Sequence, residues 1–355
     1  MFAPEPARPV LLLGDARARG LAQAAAPGTD AEAVRAAVRL RLDLAAALLD
    51  RVDVRAFLAA QEDMLDAVDP EGADEMDGIA EGFAIDRQTL LAYLHLGVLG
   101  DFTDGCSAFA HSGGGVAPLL VKNRDYRGEH AALQRVFLHR DPARPGADML
   151  LVGSLGSPGA FSSGMNARGL ALVDTHVGSS DHGLGLLRYF LMTRLLRRCA
   201  DVGEALDEIA ALPQAGGGTM VLCDRAGRHA AVELGHRATG VEADARPWRA
   251  RTNHFLLDPT RASFRAHRSD PMATSTTGRL ARIEAALAGF DRPPVPADAA
   301  RLMAGHADGG EALCRHGQDG DSLTISTSVF APAEAKLYFS PQRPCAGRWL
   351  AYDFD

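Results

Sequence analysis

Apolar positions in the first hundred residues recur at helical spacing. Val34, Val38, Leu42, Ala45 and Leu49 form one stripe, introduced by Thr29 and Glu32 at capping-box separation. Further helices are expected from Glu75 to Phe83, with Met76, Ile79, Ala80 and Phe83 on one side, and from Asp86 to Leu96. Gly100 and the run Asp101-Phe102-Thr103-Asp104-Gly105 then break the pattern. From Cys106 the period shortens to two. Ser107 to His111 and Ala117 to Lys122, joined by Ser112-Gly113-Gly114-Gly115, read as a hairpin.

More strands are expected from Met149 to Val152 and from Gly169 to Asp174. A helical pair follows, from Leu186 to Arg198 and from Val202 to Leu212, and then a hairpin of Thr219 to Cys223 with Ala230 to Leu234. A helix from Thr277 to Ala288 and strands from Leu323 to Phe330 and Ala335 to Phe339 close the chain. Two antiparallel sheets between helix layers, an α+β αββα sandwich, satisfy this order. A helical segment, 1–105, is expected to dock on a catalytic segment, 106–355, as one integrated domain.

Composition narrows the function. In 355 residues, 47% are hydrophobic and 23% charged, the proportions of an ordinary globular protein. A formal net charge of -8, with no basic stripe, argues against nucleic acid or an anionic membrane as partner. No apolar run nears the roughly 20 residues of a membrane span. Met1 to Leu13 is too short in apolar length and too rich in proline for a secretory signal. Cys106, Cys199, Cys223, Cys314 and Cys345 are odd in number and contain no CxxC pair, which predicts neither a disulfide framework nor a metal site. A reduced, cytoplasmic setting is the default expectation.

Cys106 stands apart because it follows Gly105 at the helix-to-strand switch. A glycine presents its carbonyl to an attacking sulfur with no side chain in the way. If the thiol attacks that carbonyl, the chain cuts itself and Cys106 becomes an N-terminus. The freed α-amine, with a pKa of roughly 7.7–8, can then serve as base for its own thiol. An acyl group on that sulfur is activated for transfer.

Asp104-Gly105-Cys106-Ser107 followed by Asn123-Arg124-Asp125 resembles the acyl-coenzyme A:6-aminopenicillanic acid acyltransferase family, whose members are autoproteolytic N-terminal-nucleophile (Ntn) enzymes. Gly78-Ile79-Ala80-Glu81-Gly82, Gly164-Met165-Asn166, Asn253-His254 and Cys314-Arg315-His316 resemble further family elements in the family's order. The resemblance implies an Ntn-hydrolase sandwich, cleavage at Gly105-Cys106, and nucleophilic work by Cys106. It implies that Asp125 holds the new amine, that Asn253 donates to the oxyanion, and that Arg315 polarises the site. Lys122, Asn166 and His254 become candidate substrate-binding residues. The implied partners are a small-molecule amide or acyl thioester and the chain's own light chain. No cofactor is implied, with acyl-coenzyme A as a potential co-substrate. Arg124 replaces the aromatic of many relatives, and Gly320-Asp321 stands where the penicillin-pathway enzyme carries Ser-Arg.

Plainer readings stand beside these. Asp125 also fits a turn, Asn253 a strand-end cap, Arg315 a solvated loop, and His254 and His316 structural positions. A conventional Cys/His hydrolase without self-cleavage, or a non-catalytic ligand-binding relative, remains the alternative. Ser154, Ser157, Ser162 and Ser163 lack the GxSxG elbow of a serine hydrolase.

Overall fold

The computed structural model describes all residues except 1, 101–104, 114, 244, 268–269, 271 and 318–321. Asp101-Phe102-Thr103-Asp104, Gly114 and Gly320-Asp321, used above, lie outside the described residues. The chain opens with strands β1 (Glu5–Pro6) and β2 (Val10–Leu13). Helices α1 (Ala16–Ala24), α2 (Ala31–Leu44), α3 (Ala46–Leu49), α4 (Val52–Val68), α5 (Pro70–Phe83) and α6 (Arg87–Leu99) follow. Strands β3 (Gly105–Gly113), β4 (Val116–Tyr126), β5 (Gln134–Arg140), β6 (Met149–Ser154), β7 (Ser163–Asn166) and β8 (Leu170–His176) come next. Then come α7 (Arg188–Arg198), α8 (Val202–Ala211), β9 (Gly218–Asp224), β10 (His229–Leu234), β11 (Thr239–Glu242) and β12 (Trp248–Arg251). Helices α9 (Asp258–Arg261), α10 (Thr274–Ala288) and α11 (Pro296–Met303) and strands β13 (Leu323–Ala331), β14 (Lys336–Ser340) and β15 (Leu350–Tyr352) complete the chain.

The strands form two sheets, ordered β1-β15-β14-β13-β4-β3-β12 and β11-β10-β9-β8-β7-β6-β5-β2. Strand alternation divides the core between their faces. Ala108, Ala110 and Leu120 of the first sheet meet Val136, Leu138, Leu150, Val152, Ala171 and Val173 of the second. Their neighbours Phe109, Leu119 and Val121 turn outward onto Leu280, Ile283 and Leu287 of α10 and Ala299, Ala300 and Met303 of α11. On the opposite outer face, Phe137, Leu151, Leu170, Leu172 and Met220 pack against Met76, Ile79, Leu90, Leu191 and Leu195 of the helices. Each fully buried Leu, Ile or Phe is worth about 1.5–3 kcal/mol of apolar transfer. The layers are helix, sheet, sheet, helix, as expected.

Several local expectations change. The first thirteen residues are not helical: β1 and β2 add to the edges of the two sheets, each in parallel with its neighbour, so neither sheet is purely antiparallel. Leu12 is buried, so the short run Val10–Leu13 is a strand with its own place in the core. Asp30, not Thr29, caps α2, its carboxylate accepting from the N–H groups of Glu32 and Ala33. The glycines of Gly78-Ile79-Ala80-Glu81-Gly82 have a packing reason. A Cβ on Gly78 would stand 2.1 Å from the Arg17 carbonyl, and one on Gly20 would stand 2.2 Å from that of Glu75. Only bare backbone lets α1 and α5 approach this closely. No helix among the described residues is long and apolar enough to cross a membrane.

Candidate active site

Cys106 is the second residue of β3 and lies opposite Arg124 of β4, with Gly105 opposite Asp125. It is buried. On its other side β12 pairs with β3 as far as Arg251 opposite Ala108. Two more residues bring Asn253 level with Cys106. The Asn253 Oδ1 accepts the Cys106 N–H at 3.0 Å and an Arg279 guanidinium N–H at 2.8 Å, while its Nδ2 donates to the His176 carbonyl at 2.8 Å. A peptide N–H and a guanidinium can only donate, so this orientation of the amide is fixed by its partners.

Asp125 is fully buried between β3 and β13. Thr324 donates its hydroxyl to Asp125 Oδ1 at 2.6 Å and accepts the Arg315 N–H at 2.8 Å. The other carboxylate oxygen, Oδ2, has no hydrogen-bond partner among the described residues. It lies 3.1 Å from the point a Cβ on Gly105 would occupy, and Arg315 Nη1 lies 2.8 Å from that point. Arg315 is steadied by donating to the Ser322 hydroxyl at 2.9 Å. The structure therefore brings Gly105, Cys106, Asp125, Asn253 and Arg315 together from separate stretches of sequence.

The substrate-side expectations divide. Lys122 lines the same cavity as Cys106; it ion-pairs with Asp174 and donates to the Ser162 carbonyl at 3.1 Å. Asn166 is elsewhere. Its Nδ2 donates to the Leu196 and Cys199 carbonyls and its Oδ1 accepts the Leu170 N–H, which ties the β7–β8 turn to the end of α7. His254 turns its Nδ1 to the Thr276 hydroxyl at 2.9 Å. Burial, assisted by Arg279 and Arg251, pushes its pKa down to about 4. Neither Asn166 nor His254 borders the cavity beside Cys106.

Other residues at the site escaped the sequence reading. Arg279 of α10 is buried and donates to the Cys106 carbonyl at 2.6 Å and the Ser107 hydroxyl at 2.9 Å. Burial pushes its guanidinium down from the ordinary value, while Asp125 and Cys106 act the other way. Its signal was available: Thr276, Leu280, Ile283 and Leu287 mark the inward stripe of α10, and Arg279 sits on it. Asp174 and His176, at the end of the apolar strand β8, also line the cavity, as do Arg124 and Arg188. Burial alone would raise the Asp174 carboxyl, but Lys122 and Arg188 outweigh it and hold it below its usual range. The cavity measures about 20 Å³, room for one or two waters.

A helix-sheet-sheet-helix sandwich with a buried thiol, a carboxylate and an amide at the start of a central strand defines the class: a four-layer α+β sandwich. The family model described as acyl-coenzyme A:6-aminopenicillanic acid acyl-transferase matches residues 112–345, well over half of the chain, and the chain belongs to that family. Cys106 falls just upstream of the matched residues. Three solved structures are similar. A mutant of conjugated bile acid hydrolase from Clostridium perfringens shares 12% identity over 70% of this chain and 92% of its own, with TM-score 0.47. An N-acylethanolamine-hydrolyzing acid amidase ortholog from Caenorhabditis elegans shares 10% over 70% and 100%, with TM-score 0.48. Penicillin V acylase from Agrobacterium tumefaciens shares 14% over 66% and 82%, with TM-score 0.42. No curated protein sequence matches the chain.

Proposed function

We propose that this protein is a self-processing cysteine acyl-transfer enzyme of the Ntn type. Cys106 Sγ attacks the Gly105 carbonyl carbon, the Gly105–Cys106 C–N bond breaks, and the amine nitrogen takes up a proton. Water then cleaves the resulting thioester, giving the Gly105 carboxylate, a free thiol and a free α-amine. In the second phase the α-amine removes the thiol proton, the sulfur attacks the substrate carbonyl, and the substrate C–N or C–S bond breaks as the leaving amine or thiol takes that proton. Water or an acceptor amine then attacks the acyl-enzyme, breaks its C–S bond and restores the thiol.

One observation carries this reading: Asp125 Oδ2, buried beside Gly105 and without a partner among the described residues. Leaving a buried carboxylate oxygen unsatisfied costs on the order of 1–3 kcal/mol. An ammonium freed at Cys106 would satisfy it. Asn253 Oδ1 already holds the nitrogen that becomes the leaving amine. With Nδ2 engaged by His176, Asn253 acts first as a positioning group; donation to an oxyanion follows only when that bond opens. A cavity of about 20 Å³ admits no acyl chain, so the intact chain is a zymogen and substrate enters after the Gly105–Cys106 bond is cut.

Residues 1–105 then remain as a light chain. Gln23 and Glu75 already bond Gly156, Ser157 and Gly159 of the larger segment. The five free cysteines suit a reducing, cytoplasmic compartment. Denaturing electrophoresis should show fragments spanning residues 1–105 and 106–355, and Cys106→Ala should remain one piece. A wild-type chain that stays whole, with activity unchanged in Cys106→Ala, ends the proposal.

A conventional thiol hydrolase would draw its base from His176, which borders the same cavity. That reading expects an intact active chain, inactivated by His176→Ala. Product analysis with and without an added amine separates hydrolysis from transfer.

A further inference from the structure

A second cluster lies apart from the cavity beside Cys106. His306 follows α11, Cys314 and His316 flank Arg315, and Cys345 sits in the turn between β14 and β15. Their ligand atoms all lie within 4.8 Å of one another. His316 Nε2 is 3.2 Å from His306 Nε2, 3.4 Å from Cys345 Sγ and 3.9 Å from Cys314 Sγ. A tetrahedral zinc with ordinary Zn–N and Zn–S bonds sets its ligand atoms roughly 3.3–3.8 Å apart. The three measured edges fall close to that tetrahedron.

We propose that His306, Cys314, His316 and Cys345 form a four-ligand structural zinc site. Two soft thiolates and two imidazoles in a closed tetrahedron suit zinc better than magnesium or calcium, which take oxygen ligands. On zinc binding both thiols lose their protons to solvent as the metal–sulfur bonds form. Arg343 now donates to His316 Nδ1. On metal binding that nitrogen carries the hydrogen, and the half-buried Arg343 side chain turns away from it.

Backbone anchoring pre-forms the site, because the N–H groups of Leu313 and Cys314 both donate to the Gly305 carbonyl at 3.0 Å. The consequence is local. Arg315, between two ligands, is held against Gly105 by a metal clip. No CxxC pair marks this set in the sequence; its short-range signal is Cys314-Arg315-His316.

The inference does not depend on the chemistry of Cys106, so its test uses the full chain carrying Cys106→Ala. After reconstitution with zinc and gel filtration, elemental analysis should give about one zinc per chain. Cobalt in its place should give the intense visible absorption of a tetrahedral thiolate site. Cys345→Ser and His306→Asn, both at exposed positions, should each lose most of the metal while circular dichroism stays unchanged. Zinc retained in full by the Cys314→Ser/Cys345→Ser double variant would overturn the proposal. So would no zinc on the folded parent chain, or an anaerobically isolated chain carrying a Cys314–Cys345 disulfide.

Discussion

Asn253 holds the backbone nitrogen of Cys106 through its side-chain oxygen at 3.0 Å, although the two residues stand 147 positions apart. β12 makes the contact possible by running antiparallel to β3. The same oxygen also accepts from Arg279, so one carbonyl organises the amide of the proposed cleavage and the cation beside it. Asn253→Ala removes both acceptor contacts. Self-cleavage should slow by about a hundredfold or more, the scale seen when one oriented acyl-transfer group is lost. Asn253→Asp keeps the acceptor and should retain more of the rate. The half-life of the freshly translated precursor measures this, and equal half-lives for Asn253→Ala and wild type would contradict it.

Gly105 offers a steric test. A Cβ there would meet Arg315 Nη1 at 2.8 Å and both Cβ and Oδ2 of Asp125 at 3.1 Å. Arg315 can give way, but Asp125 is fixed in its strand. Gly105→Ala should therefore process several-fold more slowly, and Gly105→Val should accumulate as folded precursor. Rapid cleavage of Gly105→Val would show that the approach to this carbonyl is less restricted than the distances imply.

Thr324 bridges Arg315 and Asp125 with one hydroxyl. Thr324→Val keeps the shape but leaves Asp125 with neither oxygen satisfied. In the Cys106→Ala background, where a single species unfolds, urea titration should show a loss of about 1–3 kcal/mol. Thr324→Ser should recover most of it. A neutral Thr324→Val would mean that Asp125 finds another donor.

The layers were legible because strand and helix periods are recorded in every apolar position. Leu119 and Val121 against Leu120 already separate the two faces of β4. Gly105, Cys106 and Asp125 were legible because they share one hairpin. The inward stripe of α10 placed Arg279 on a buried face, but its contact with Cys106 depends on where α10 docks, which no local pattern states. Asn166 misled for a related reason: a strand-entry asparagine capping a turn reads the same as one facing a substrate. The short strands β1 and β2 were missed because they are brief and their partners, β15 and β5, lie far along the chain.

His95 gives a pH prediction with a definite sign. It is buried in α6, its Nδ1–H donates to the Leu91 carbonyl at 2.7 Å, and its Nε2 accepts from Gln61 Nε2 at 2.9 Å. The Gln61 orientation is set by Gly185, whose N–H donates to Oε1 and whose carbonyl accepts from Nε2. A second proton on His95 would face that amide group, and burial lowers its pKa to about 4. The unfolded chain, with an ordinary histidine near 6.5, binds the proton first. Stability is thus full above about pH 6.5, falls as pH drops toward 4, and levels off below, a loss of at most about 3 kcal/mol. His130 and His254, lowered to about 3 and about 4, act in the same direction. Urea midpoints of the Cys106→Ala chain should therefore decline across this window, and a further His95→Phe should flatten part of the decline. An unchanged slope in His95→Phe would mean that His95 takes up its proton equally in both states.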